Sequence, residues 1–405
     1  MKFSLTALFA STACCSSLSS VTATQDEAKK KVCDTPKLHE HHPVLCHMLD
    51  RLADDAHGLA EEMTEWASQH GLLVGQDWDF DHIIRDQQQQ LTSSVSSLPV
   101  VFAHGMGDSC YNSGMQHIAS FTSDLLGKVY TTCIPTGKNH QDDTSSGYFL
   151  NMDASVDIFA AKIREDPKLA NGFHAIGFSQ GNNVIRGYIG RYNDPPVHTF
   201  LSINGVNGGV GAVPYCVPNK NEVEATAAEE EEEASSKTTL TMGMCDLLME
   251  QASKRAYTDF AQEHSFQANY WRDPRPVEWE SYQKYSQLAH WNNEGTTKNE
   301  TYNENYAKTQ RFVWVLATED GMVWPKEGEQ WGAADPQAPF TRVLPMNETE
   351  WYEKDLFGLR TAQEQDKNRF ESFEGDHLQF SMDDFTRWVQ TYIGEDSLQD
   401  TQIQQ

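Results

Sequence analysis

The sequence predicts an α/β fold, a mostly parallel sheet with helices packed on both faces. Three observations point there. Short runs of apolar, β-branched and aromatic residues alternate with helix-length stretches. Several of these runs close on glycine-rich turns, as strands do where a parallel sheet hands the chain to a helix. A G-x-S-x-G pentapeptide stands at one such junction.

Taken in order, the first strand is Leu98–Ala103, ended by His104-Gly105-Met106-Gly107. Phe173–Phe178 is the second; it stops at Ser179 and leads into a helix over Asn182–Tyr192. Val197–Ile203 is the third and closes on Asn204-Gly205. Residues 206–308 then break the rhythm and read as an insertion. Within it, residues 217–244 hold the acidic tract Glu229–Glu233, a solvated loop between Cys216 and Cys245. Helical segments follow, carrying Tyr257, Phe260, Phe266, Tyr270, Trp271, Trp279, Tyr282 and Trp291. These are expected to pack over the sheet edge where ligands bind, most of the aromatics serving the core. The pattern resumes at strand Arg311–Ala317, followed by the turn Thr318-Glu319-Asp320-Gly321. The last helix, Met382–Ile393, presents Phe385, Trp388, Val389, Tyr392 and Ile393 as one apolar stripe, with Ser381 and Asp384 as its capping pair.

The ends lie outside this unit, which spans residues 97–394. Lys2, the apolar stretch Phe3–Ala13 and the small-residue site Val21-Thr22-Ala23 read as a secretory leader over residues 1–23. That stretch is too short to span a bilayer, so no integral membrane segment is expected after leader removal. Residues 24–96 form a polar extension with a helical pattern through Leu45, Leu49, Leu52, Leu59, Met63 and Trp66. Its His39, His41, His42 and His47 read as a solvated surface segment, because no thiolate or carboxylate frame accompanies them. A polar tail occupies residues 395–405.

Of 405 residues, 59 are acidic and 31 basic, giving a formal charge of -28. Such a surface repels phosphate backbones and excludes nucleic acid as an expected partner. Leader removal takes Cys14 and Cys15 and leaves Cys33, Cys46, Cys110, Cys133, Cys216 and Cys245. An even number in a secreted chain favours disulfides, and pairing of sequence neighbours (33 with 46, 110 with 133, 216 with 245) is the expectation. No CxxC spacing supports a zinc site. Asn299-Glu-Thr301 and Asn347-Glu-Thr349 are glycosylation sequons and place their loops outside.

The chemistry gathers around Ser179. In Gly177-Phe178-Ser179-Gln180-Gly181 the flanking glycines let strand and helix approach a nucleophile held at a sharp turn. A serine hydroxyl needs a base, and in this arrangement the acid and then the histidine follow it along the chain. Asp320, just past the fourth strand, is the expected acid, ahead of Asp376, Asp335 and the adjoining Glu319. His377, in the loop before the last helix, is the expected base. Met106, after the first strand, and Gln180, after the nucleophile, are expected to offer backbone N–H groups to an oxyanion. His104 reads as structural support for that loop. These features together define an α/β-hydrolase fold with a helical insertion.

HGMGDSC, DPKL followed by GFSQG, YWRDP and EGDHLQF, in that order, resemble the palmitoyl-protein thioesterases, especially the lysosomal type, over Leu98 to Gly394. The resemblance implies hydrolysis of fatty acyl thioesters on protein cysteines, with S-acylated proteins or peptides as substrates. It also implies a hydrophobic acyl groove formed partly by the insertion, and delivery along the secretory pathway to lysosome or exterior. By position it makes Ser179 the nucleophile, Asp320 and His377 its partners, and Met106 with Gln180 the oxyanion hole. No cofactor or metal is implied. Where the lysosomal type carries adjacent cysteines, Cys110 here precedes Tyr111. The extension and the acidic tract likewise have no counterpart in the resemblance. A lipase or carboxylesterase acting on oxygen esters would use the same residues, and a non-catalytic lipid-binding module would lack one of them.

Overall fold

The protein is described from a computed structural model covering residues 98–214, 249 and 252–394, with positions 61, 64, 65, 68, 69 and 73–75 of the extension. The leader, Cys33, Cys46, Cys216, Cys245, the histidine cluster, the acidic tract and the polar tail lie outside the described residues.

Six parallel strands make one sheet, in the order β2-β1-β3-β4-β5-β8. They are β1 (Val100–Ala103), β2 (Thr131–Cys133), β3 (Phe173–Phe178), β4 (Val197–Ile203), β5 (Arg311–Ala317) and β8 (Asn368–Phe373). A short antiparallel pair, β6 (Ala333–Ala334) and β7 (Val343–Leu344), stands apart. Central strands β1 and β3 are buried along their whole length, as continuous apolar runs must be when helices cover both faces.

Alternation of side chains divides the core in two. Val100, Phe102, Ile176, Phe178, Leu201, Ile203, Val313 and Val315 face helix α1 (Ser113–Leu125) and the last helix (Met382–Tyr392). Val101, Ala103, Phe173, Ala175, Phe200, Phe312 and Trp314 face the other way. On that side lie α2 (His140–Phe149), α3 (Met152–Glu165) and α4 (Gly181–Arg191). The inserted helices α5 (Asp259–His264), α6 (Phe266–Asn269), α7 (Trp279–Tyr285), α8 (Gln287–Trp291) and α9 (Glu300–Lys308) extend this second core.

The expected strands β3, β4 and β5 have the observed bounds, while β1 begins two residues late because Leu98 and Pro99 precede the ladder. The helix after Ser179 starts one residue early, at Gly181. Ser381 caps the last helix as expected, its Oγ accepting from the Asp384 N–H at 3.1 Å. Strands β2 and β8 were not foreseen. The first has three half-buried residues, and the second, at the sheet edge, carries only two apolar side chains, Phe370 and Phe373, among four polar ones. Cys110 and Cys133 form the expected disulfide, tying the segment after β1 to the end of β2. The extension is not wholly polar surface: Val74 is buried in the first core, and its N–H donates to Asp108 Oδ2 at 3.4 Å.

Candidate active site

The carboxyl ends of the strands deliver the site. Ser179 follows β3 with φ of +50°, a left-handed conformation costly for a residue with a Cβ. Crowding around it explains the two glycines. A Cβ on Gly177 would lie 2.3 Å from Asn182 Oδ1, and one on Gly181 would lie 2.3 Å from the Ala103 carbonyl oxygen. Turn, strand and helix can therefore close this tightly only with glycine at both positions.

Ser179, His377 and Asp320 come together although 198 residues separate the serine from the histidine. Ser179 Oγ–H donates to His377 Nε2 at 2.8 Å, and His377 Nδ1–H donates to Asp320 Oδ2 at 2.5 Å. His377 and Asp320 are buried. The other Asp320 oxygen, Oδ1, accepts the N–H groups of Met322 and Val323 at 2.8 and 2.7 Å. Burial works to raise the Asp320 pKa, but the His377 ring and these hydrogen bonds outweigh it and hold the carboxyl at about 2. Asp320 is thus an anion bonded to Nδ1, which fixes the proton there and leaves Nε2 as the acceptor facing the serine.

The competing carboxylates sit elsewhere. Asp376 Oδ1 accepts from the Gly321 and His377 N–H groups at 2.8 and 2.7 Å, lacing the turn after β5 to the turn after β8. Asp335 pairs with Arg342, and Glu319 is exposed.

Met106 and Gln180 follow β1 and the serine, as expected. Among the described residues neither backbone N–H has a protein acceptor. The Gln180 side chain is locked, its Nε2 donating to the Gly147 carbonyl at 2.7 Å while its Oε1 accepts from Gln267 at 2.9 Å. Gln267 belongs to α6, so the insertion buttresses the residue after the serine.

His104 stays out of the relay. Its Nε2 meets Asp143 Oδ2 at 3.2 Å, and its Nδ1–H donates to the Gly105 carbonyl at 2.9 Å. Burial alone would lower its pKa, but Asp143, with a smaller share from Asp108, reverses this and lifts it to about 9. A buried imidazolium–carboxylate pair therefore supports the turn bearing Met106.

Three participants escaped the sequence reading. Asp143, on α2, also accepts from Ser109 Oγ and the Cys110 N–H, both at 2.9 Å. Asn204, read as a strand end, accepts the Leu378 N–H at 3.0 Å. Glu329 brings a carboxyl oxygen within 4.8 Å of a carboxylate oxygen of Asp320 and a ring nitrogen of His377. None carries a motif, and the Asn204-Gly205 turn was the one local signal available.

A cavity of about 370 Å³ opens between Arg272–Pro276, Trp279, Ala333–Ala334 and residues 344–353. No residue of the relay lines it. Both sequon asparagines, Asn299 and Asn347, are exposed. No helix of the described residues is long and apolar enough to cross a membrane.

The model of the family described as palmitoyl protein thioesterase matches residues 99–377. Palmitoyl-protein thioesterase 1 of Caenorhabditis elegans is 32% identical over 292 residues, covering 72% of this chain and 89% of that one. Palmitoyl-protein thioesterase 3 of Dictyostelium discoideum is 29% identical over 294 residues, covering 71% and 88%. Lysosomal thioesterase PPT2 of Homo sapiens is 24% identical over 274 residues, covering 66% and 77%. The family match takes in the Met106 turn, the serine elbow, Asp320 and His377 in one span, and on that extent the chain belongs to the palmitoyl protein thioesterase family.

Proposed function

We propose that the protein hydrolyses long-chain fatty acyl thioesters on protein cysteines through an acyl-enzyme on Ser179. The relay from Ser179 Oγ through His377 to the ionised Asp320, at 2.8 and 2.5 Å, carries this reading. Family membership supplies the thioester and the acyl chain.

His377 Nε2 takes the Ser179 proton as Oγ attacks the thioester carbonyl. The Met106 and Gln180 N–H groups receive the oxyanion, and losing one such donor typically costs about 10²–10³ in rate. Collapse of the tetrahedral adduct breaks the C–S bond, and His377 returns its proton to the leaving thiolate. Water, deprotonated by His377, then attacks the acyl-enzyme, releasing the fatty acid and restoring the Ser179 hydroxyl. One water is consumed, and a fatty acid and a thiol are formed. No cofactor enters the scheme.

The same reading extends to the chain's organisation. Residues 97–394 are the catalytic unit, residues 1–23 a leader, residues 24–96 an appended segment and residues 395–405 a tail. The disulfide Cys110–Cys133, exposed Asn299 and Asn347 as glycan acceptors, and relatives named as lysosomal thioesterases all support passage through the secretory pathway towards the lysosome.

The test compares palmitoyl-cysteine peptides with oxygen esters of matched chain length across pH 4 to 8, alongside fluorophosphonate labelling. Wild-type protein is expected to favour the thioester and to label at Ser179. Ser179→Ala should lose about 10⁴–10⁶ in kcat with its fold retained. Substantial turnover by that variant would refute the nucleophile. Preference for oxygen esters would recast the enzyme as a carboxylesterase, and failure to label would favour a non-catalytic lipid binder.

A further inference from the structure

Glu329 sits on the short 3-10 helix Lys326–Gln330 that follows β5, and it is completely buried. Its Oε2 is satisfied twice, accepting from Asn204 Nδ2 and from the Ala317 N–H, each at 3.0 Å. Its Oε1 is buried with no hydrogen bond directed at it. The titratable groups facing it are Asp320, from the turn after β5, and His377, from the turn after β8, with a carboxyl oxygen or ring nitrogen of each within 4.8 Å of the others. Among the described residues no lysine or arginine pairs with it.

As a carboxylate, Glu329 would bury a second negative charge against Asp320 and leave a bare oxygen there, which is costly in a desolvated site. As a carboxylic acid it gains a donor at the orphaned oxygen, and both carboxyl groups become satisfied. Asn204 extends the arrangement, because its Oδ1 accepts the N–H of Leu378, next to the catalytic histidine. We propose, taking the Ser179–His377–Asp320 relay as the reacting centre, that Glu329 is a positioning residue, a neutral acid whose O–H donates to Asp320 and, with Asn204, holds that carboxylate on the Nδ1 side of His377. Burial first, and the Asp320 charge second, raise the Glu329 pKa well above the ordinary carboxyl range.

The test uses the full-length protein and two variants. In Glu329→Gln the amide oxygen can take the bonds from Asn204 and Ala317 while the NH₂ faces Asp320, copying the neutral acid. It should lower kcat/KM on a palmitoyl-cysteine peptide severalfold at most, whereas Glu329→Ala, which frees Asp320, should lose about 10²-fold. A loss in the glutamine variant equal to that in the alanine variant overturns the proposal. If the alanine chain does not fold, two readouts on the glutamine variant and wild type decide.

The first is infrared difference spectroscopy, where wild type at neutral pH should show a protonated-carboxyl C=O band that the glutamine variant lacks. The second is urea unfolding against pH. A folded acid that keeps its proton is lost to unfolding as pH rises, since the unfolded carboxyl ionises near 4.5. Above that pH the ratio of wild-type to glutamine-variant unfolding constants should therefore grow about tenfold per unit. An absent band, or a ratio independent of pH, means that Glu329 is ionised and overturns the proposal. Neither readout involves turnover, so a failure of the Ser179 assignment would be seen separately, in an active Ser179→Ala.

Discussion

Asp320 matters at the residue scale through what it does to a proton. With Oδ1 fixed by two backbone N–H groups and Oδ2 receiving Nδ1–H, the carboxylate has little freedom to serve another group. His377 therefore presents a bare Nε2 to the Ser179 hydroxyl at 2.8 Å. Asp320→Asn keeps the shape but can direct an NH₂ at Nδ1, which would favour the tautomer with its proton on Nε2, where the serine hydroxyl must donate. Turnover should fall by about 10⁴-fold while the variant still folds and melts cooperatively. Steady-state kinetics on the acyl-cysteine peptide, paired with a melting curve, check this. A loss below tenfold would mean that some other group orients the ring.

Packing at the elbow belongs to the scale of elements, where β1, β3 and α4 meet. A methyl group on Gly181 would lie 2.3 Å from the Ala103 oxygen and 2.5 Å from the His104 oxygen, both backbone atoms that cannot rotate aside. Gly181→Ala must push α4 from β1, with an expected cost of about 1–3 kcal/mol in urea unfolding. It should also cut activity out of proportion to stability, because β1 carries the Met106 turn. Wild-type stability in this variant would contradict the packing described. The same elements explain how far the sequence could be read. Strands β3, β4 and β5 are mostly apolar runs, and G-x-S-x-G and the turn after β5 announce Ser179 and Asp320. Strand β2 has three half-buried residues, and edge strand β8 has four polar residues to two phenylalanines, so neither has the continuous hydrophobicity that marks a covered parallel strand. Glu329 and Asp143 were illegible for a different reason. A buried carboxyl group is written in the sequence like any surface acid, and only the closing of distant segments over it reveals its partners.

At the scale of the whole molecule, charge decides where the protein is most stable. The formal charge of -28 opposes compaction at neutral pH and is relieved as exposed carboxylates take up protons. Buried groups set the limits. His104 has its pKa raised from 6.5 to about 9, so its contribution is fully present below 6.5 and is lost as pH climbs through 9. Glu329, with its carboxyl raised above 4.5, disfavours the folded state increasingly above that pH. Asp320 runs the other way: lowered from 3.8 to about 2, it stabilises above 3.8 and ceases to as pH falls through 2. Asp143, lowered further still by His104, follows Asp320. Three effects thus erode stability on the alkaline side and two on the acid side, and the gap between them, bounded by the ordinary values of Asp320 and Glu329, lies from 3.8 to 4.5. Calorimetric melting across pH 2 to 10 should give a dome with its top in that window. His104→Gln should flatten the descending limb above 6.5, since it removes the imidazolium that the loss depends on. A stability maximum at pH 8 or above in the wild-type protein would show that the His104–Asp143 pair and the buried Glu329 do not hold the protons assigned to them.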